Sequence, residues 1–313
     1  MVGILILAAL AVFFVFPKPT IKQSQAEIVT AENSFKINFN LESPDKENIS
    51  QLFEKLQISQ NVLKGVTFEL DSTSSAKLAF ANPISANIQS QQGKISFSGT
   101  AQTPPMQSQF TPPSNYKMPQ SALFVLFAPN FLPQVQKLVG TPTQLANWID
   151  QNLDSQNGQL LQLFPEGDFV LAFNSKKEPD FTSLAQLEFQ DQIESPYIQQ
   201  IESDVNIHIV KITKQEGETT VTFFKIGDEI YIASSTDAAK QIIAVQKENA
   251  PSVDFPKTDD KVSAVVFLKN PENKDINLTI FGSGAKKLEK YLKNLKEGQV
   301  ILKGTKISGY VTY

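Results

Sequence analysis

Met1 to Phe16 form an uncharged apolar run, and nothing later in the 313 residues repeats it. Such a run cannot be wrapped into a water-facing domain without burial on every side, so it divides the chain into one membrane-directed segment and one large polar body. At a rise of about 1.5 Å per residue a sixteen-residue helix reaches roughly 24 Å, a little short of a hydrocarbon core of about 30 Å. Residues 1–17 are therefore expected to be a minimal transmembrane anchor or the apolar part of a secretory signal. Ser24-Gln25-Ala26 has the small-residue spacing of a cleavage site, ten residues beyond the run. Lys18 and Lys22 follow the span and no basic residue precedes it, which by the positive-inside rule alone would leave the body in the cytoplasm. A start lying upstream, with its own Lys or Arg, accounts for that bare flank. Long domains also translocate largely regardless of charge, so the expected body is extracytoplasmic and the expected partner of residues 1–16 is the lipid bilayer.

Composition narrows the chemistry. The chain has no cysteine, which removes disulfides, thiolate nucleophiles and Cys-based metal sites. All 28 basic residues are Lys, so no guanidinium fork exists for bidentate carboxylate or phosphate recognition. A net charge of −4 argues against nucleic acid as the main partner. No cofactor is expected.

Residues 101–119 hold five prolines and no periodicity, the composition of a semi-rigid linker between an N-terminal unit (30–100) and a central unit (120–248). A weaker break over 249–260, with Pro251 and Pro256, leads to a C-terminal unit (261–313) expected to pack with the central one. Phe35, Ile37, Phe39 and Leu41 alternate as a half-buried strand does, and Ser43-Pro44 then opens a helix whose apolar face is Ile49, Leu52, Phe53 and Leu56. Strands are expected around 66–70, 78–80 and 95–97. The central unit predicts a strand at Leu123 to Phe127, helices near 131–139 and 143–153, and strands at Phe169 to Phe173 and through Leu184, Leu187 and Phe189. A helix is expected from Pro196 to Ile201. Thr220 to Ile226 and Glu229 to Ala233 flank Gly227-Asp228, a two-residue hairpin with Gly placed for a type II′ turn. Ser235 or Thr236 caps a helix with Ala238, Ile242 and Val245 on its buried stripe. The last unit predicts strands at 262–268 and 276–281, a helix over 285–295 and a hairpin through Gly304-Thr305. Strands and helices without regular alternation make the expected fold class α+β: antiparallel sheets packed with amphipathic helices, in two or three similar units.

Leu123-Phe-Val-Leu-Phe127, Gly167-Asp-Phe-Val-Leu171 and Lys225-Ile-Gly-Asp-Glu-Ile-Tyr-Ile-Ala-Ser-Ser235 followed by a helix resemble a family of bacterial membrane-anchored proteins known as domain of unknown function 3352. The resemblance spans residues 119–247, a pattern of strands and turns. It implies a single-span protein with an extracytoplasmic α+β body and carries over no functional residue.

Chemistry-bearing residues are few. His208 is the single histidine, set in Val205-Asn-Ile-His-Ile-Val210 with Asn206 and His208 on one strand face, expected to be partly exposed. No Gly-x-Ser-x-Gly elbow accompanies it, so a Ser-His-Asp triad is not expected. Glu166/Asp168 and Asp259/Asp260 lie in loop-like sequence and read as solvated turns rather than a catalytic pair. Gly282-Ser283-Gly284 reads as a turn before the following helix. That helix carries the main candidate surface: Leu288, Tyr291, Leu292 and Leu295 form its apolar stripe, while Lys286, Lys287, Lys290, Lys293 and Lys296 cover much of the rest. Such a face is suited to anionic headgroups or an acidic envelope polymer. The expected function is non-enzymatic: a membrane-anchored envelope protein for binding or scaffolding, with another envelope protein or an anionic polymer as partner. A lipid carrier with a Phe-lined cavity is the alternative, and a carboxylate-based hydrolase a third.

Overall fold

A computed structural model describes residues 25–31, 34–40, 45–55, 66–69, 84–91, 93–101, 109–112, 116–128, 132, 136, 141–153, 158–189, 196–214, 217–255, 261–277, 289 and 292–313. In chain order the first elements are β1 (Gln25–Ala31), β2 (Ser34–Asn40), α1 (Asp45–Lys55), β3 (Val66–Glu69), β4 (Ile84–Gln91) and β5 (Lys94–Ala101). Next come β6 (Lys117–Pro119), β7 (Phe124–Ala128), α2 (Thr143–Asn152), β8 (Gln159–Leu163), β9 (Phe169–Asn174) and a 3-10 turn over Phe181–Gln186. Then follow β10 (Tyr197–Glu202), β11 (Val205–Lys214), β12 (Gly217–Ile226), β13 (Glu229–Ala233) and α3 (Thr236–Gln246). The last are β14 (Ser252–Asp254), β15 (Ala264–Lys269), β16 (Glu297–Lys303) and β17 (Lys306–Thr312). The class is α+β, mostly antiparallel sheet with a few helices, as the sequence leads one to expect. The Met1–Phe16 run lies outside the described residues, among which no helix is long and apolar enough to cross a membrane.

The chain divides into two compact units, residues 1–109 with 260–313, and residues 110–259. The C-terminal segment thus belongs to the first unit. The reason is a seven-residue ladder: β17 pairs antiparallel with β5 from Lys306↔Thr100 to Thr312↔Lys94. In this unit the strands run in the order β15-β16-β17-β5-β4-β1-β2-β3, each neighbouring pair antiparallel. Gln25 and Ala26 already belong to β1, opposite Asn40 and Phe39 on one side and Asn87 and Ala86 on the other. Cleavage after Ala26 would remove those two rungs.

One face of this sheet is apolar. Ile88, Ile95, Phe97, Val300, Leu302, Ile307 and Val311 are buried there, with Ile49 and Leu52 of α1 among the buried core. Burying each such side chain contributes roughly 2 kcal/mol. Polar contacts fix α1 on β4: Ser90 donates to Asp45 Oδ1 through its amide (2.9 Å) and its hydroxyl (2.5 Å), and Asn48 Nδ2 donates to Ser90 Oγ (2.9 Å). The Tyr313 hydroxyl donates to the Asn48 carbonyl at 3.0 Å.

In the second unit the order is β10-β11-β12-β13-β9-β8-β7, again antiparallel throughout. Here both faces are covered. Trp148 of α2 packs edge-on against Phe223 on one face (5.4 Å between centroids). On the other, Gln162 Nε2 donates to Tyr116, which leads into β6, and Gln246 of α3 donates to the Lys117 carbonyl. β6 pairs with β14, so Tyr116 to Pro119 form buried, paired structure rather than the end of a linker; Met118 is 2% exposed. Residues 102–108 of the expected linker lie outside the described residues.

Local readings differ in several places. The strand expected through Leu184, Leu187 and Phe189 is absent: residues 181–186 are a 3-10 turn with Asp180 as its cap accepting from the Thr182 amide, and 187–189 are not in a strand. Residues 197–202 are a strand, not a helix. Tyr197, Ile198 and Ile201 sit at helix-like spacing, but Ser203 and Asp204 both adopt positive φ (48° and 63°), the two-residue type I′ turn that zips β10 onto β11. β8 has no signature in the sequence, because Gln159 and Gln162, buried together with Leu160, Leu161 and Leu163, leave neither an alternation nor an unbroken apolar run. The hairpin at Gly227-Asp228 forms as expected, with positive φ (58°) at Gly227 alone of the two.

Candidate binding surface

Of the helix expected over 285–295 and the Lys296 beside it, only Glu289 and residues 292–296 are described. Lys293 Nζ pairs with Asp275 Oδ1 at 2.7 Å, and Lys296 Nζ reaches the Tyr313 carbonyl at 3.4 Å. Leu292 and Leu295 are buried, as the expected stripe requires. Lys286, Lys287 and Lys290, Gly282-Ser283-Gly284, and Asp259/Asp260 lie outside the described residues.

Asp168 is not a solvated turn residue. Its Oδ1 accepts from Ser234 Oγ (2.7 Å) and its Oδ2 from Ser235 Oγ (2.6 Å), and Ser235 in turn caps α3 by accepting from the Ala238 amide. The Ser234 hydroxyl oxygen also accepts from the Phe169 amide (2.9 Å). The carboxylate thus ties the start of β9 to the start of α3, while Glu166 is exposed in the same turn.

His208 is buried (5% exposed), not partly exposed as its strand position suggested. The cover comes from chain far away in sequence: Phe181 stacks on the imidazole at 4.8 Å between centroids, and the Tyr197 ring lies at 6.0 Å. His208 Nδ1 and the Tyr197 hydroxyl are 2.8 Å apart. Burial pushes the His208 pKa below its ordinary value. Trp148 also stacks on Phe181 and donates from Nε1 to Ser183 Oγ (2.7 Å). The histidine is thus one plate in an aromatic stack holding the 3-10 turn against β10 and β11.

A second polar cluster had no signal in the sequence beyond a Gln inside an apolar run. Gln162 Nε2 donates to the Tyr116 hydroxyl (2.5 Å), that hydroxyl is hydrogen-bonded to Tyr231, and the Tyr231 hydroxyl donates to Glu229 Oε2. Burial raises both tyrosines well above their ordinary pKa, with the nearby Glu229 charge adding to it. Burial likewise raises Glu229. The chain keeps protons on both phenols and pins the segment before β6 to the sheet.

A shallow polar recess is lined by Asn174, Ser175, Lys176, Lys177, Lys225 and Asp228. Lys225 is paired with Glu178, and Lys177 Nζ donates to the Gln151 carbonyl at 3.0 Å.

The remaining surface is the outer edge of the second unit's sheet. β10 pairs on one side with β11 and ends the strand order. Its four central residues are exposed, and Ile201 (72%) and Ile198 (37%) are the exposed large apolar side chains among the described residues. Natural edges are blunted with Lys, Pro or bulges; β10 contains no Lys and no Pro, and its one charge is Glu202. The arrangement offers backbone groups and two isoleucines to another strand.

No family model and no curated protein matches the chain. It is similar to a solved structure described as "Structure of crystal form III of TP0453", at 9% identity over 61% of this chain and 90% of that one, with a TM-score of 0.32. The resemblance to the 3352 family stays an expectation.

Proposed function

We propose that the chain is a non-enzymatic binding or scaffolding protein of the bacterial cell envelope. Met1 to Phe16 anchors it in the cytoplasmic membrane, and its body of like strand-helix-sheet units stands outside. The observation that carries this reading is the β10 edge, an unblunted strand with Ile201 72% exposed. Exposed apolar side chains beside an open ladder are the features of a protein-binding surface. The helix carrying Lys286, Lys287, Lys290, Lys293 and Lys296 supplies a second contact, toward anionic headgroups or an acidic polymer.

Native mass spectrometry of the full chain, extracted from its own membrane, tests the reading. Bare protein in the membrane fraction, as monomer or defined oligomer, is the expected result. Extra mass of lipid size that leaves on denaturation would replace it with the apolar-ligand carrier. Recovery of the intact chain in the soluble fraction would overturn the anchor.

A further inference from the structure

We propose that β10 is a self-association edge, at which a second copy of this chain adds its own β10 antiparallel about a two-fold axis through Gln199. The proposal rests on the binding reading above and names the partner. Its basis is that β10 is complementary to itself in backbone, side chains and charge.

The backbone comes first. The Lys211 amide donates to the Pro196 carbonyl at 2.7 Å, so the groups of residue 196 face β11. Hydrogen-bonding direction alternates along an antiparallel strand. Residues 198, 200 and 202 therefore also face β11, and the backbone groups of Gln199 and Ile201 turn to the outer edge. An axis perpendicular to the sheet keeps each face on its own side, and it must pass through a residue because directly opposed residues share a face. On Gln199, the axis lets two copies exchange both of that residue's backbone bonds.

Side chains then select among the possible axes. Tyr197, Gln199 and Ile201 share the face of His208, as their register partners Val210, His208 and Asn206 require. Through Gln199, each Ile201 lies beside Tyr197 of the second copy, an aromatic–β-branched pair formed twice. On the opposite face Ile198 lies beside Gln200 of the second copy. An axis through Gln200 instead sets Ile198 opposite Glu202, and one through Ile201 sets Gln200 opposite Glu202. Charge agrees. About Gln199 the two Glu202 residues sit six positions apart along the ladder, about 20 Å at roughly 3.3 Å per residue. That exceeds a screening length of about 8 Å, so the edge does not repel its copy.

The test uses the full chain in detergent. Sedimentation should show a reversible dimer, and Ile201→Lys should raise its dissociation constant at least about tenfold. Ile201 is already 72% exposed, so at concentrations where both proteins are monomeric the melting profile read by Trp148 should not change. The absence of native cysteine allows a second readout, comparing single Gln199→Cys and Glu202→Cys variants. Opposed residues 199 place their Cα atoms about 5.5 Å apart, within the range of a disulfide, whereas residues 202 are about 20 Å apart. Mild oxidation should therefore link Gln199→Cys dimers at least about tenfold faster. A monomeric native chain overturns this inference and leaves the binding reading standing, whereas a co-purifying lipid overturns that reading itself. A dimer indifferent to Ile201→Lys, or linked equally well through both cysteines, also overturns it.

Discussion

β16 and β9 are strands of similar length in antiparallel sheets, yet they are built to different rules. β16, Glu297-Gly-Gln-Val-Ile-Leu-Lys303, buries every second residue, whereas β9, Phe169-Val-Leu-Ala-Phe-Asn174, buries five in succession. In the first unit α1 and the apolar side chains occupy one face. In the second, α2 lies on one face and α3 with β6 on the other. The number of covered faces therefore decides what a strand looks like in sequence. It also decides where a polar residue is tolerated: Gln299 alternates outward, whereas Gln162 is buried and must find Tyr116.

The largest expected effect breaks the first unit. A Cβ on Gly309 would meet the Gln299 carbonyl oxygen at 2.1 Å and the Phe97 ring at 2.4 Å, so the glycine lets β5, β16 and β17 close on one another. Gly309→Val should cost on the order of 4 kcal/mol in chemical denaturation, as severe overpacking does. It should leave the fluorescence of Trp148, which reports the second unit, near native.

A paired substitution sharpens the contrast. Leu171→Ala in β9, where the side chain is fully buried, should cost about 3 kcal/mol. Ile301→Ala, on the half-buried face of β16, should cost about 1 kcal/mol or less. Equal losses would mean that the two sheets do not differ in coverage.

Asp168→Ala should cost about 1–2 kcal/mol, since it leaves Ser234 and Ser235 without their acceptor. Hydrogen exchange should quicken first at the Ala238 amide, whose cap is Ser235.

The smallest effect is a pH response of the His208 stack. Its folded pKa is depressed, so the unfolded chain binds the proton more readily. The associated stability is full above the unfolded value of about 6.5 and declines as pH falls through it. A small loss of stability is expected at mildly acid pH and should vanish in His208→Phe. A Trp148 melting profile that is flat between neutral and mildly acid pH would reject it.

Much of the fold was legible. Periodicity gave β2, α1, β12, β13, α3 and the closing hairpin, and unbroken apolar runs gave β7 and β9, because each depends on local chemistry: a capping Ser235, a Gly with positive φ, a buried stripe or a run of apolar residues. The candidate surface was not. Tyr197, Ile198 and Ile201 have helical spacing, and only pairing with β11 through the Ser203-Asp204 turn makes them a strand. β4 was missed because its apolar positions are few and its neighbours polar.

The sequence by itself determined the apolar N-terminal run, the α+β class, the thiol- and guanidinium-free chemistry and the hairpins at Gly227-Asp228 and Gly304-Thr305, since these follow from composition and from interactions within a few residues. Tertiary structure alone decided that residues 260–313 join the first unit, that His208 lies beneath Phe181, that Asp168 clamps two serines, and that β10 ends the strand order of the described residues with Ile198 and Ile201 exposed. Each of these depends on which distant segments meet. Pairing and burial between segments far apart in the chain leave no fixed spacing for a sequence to display.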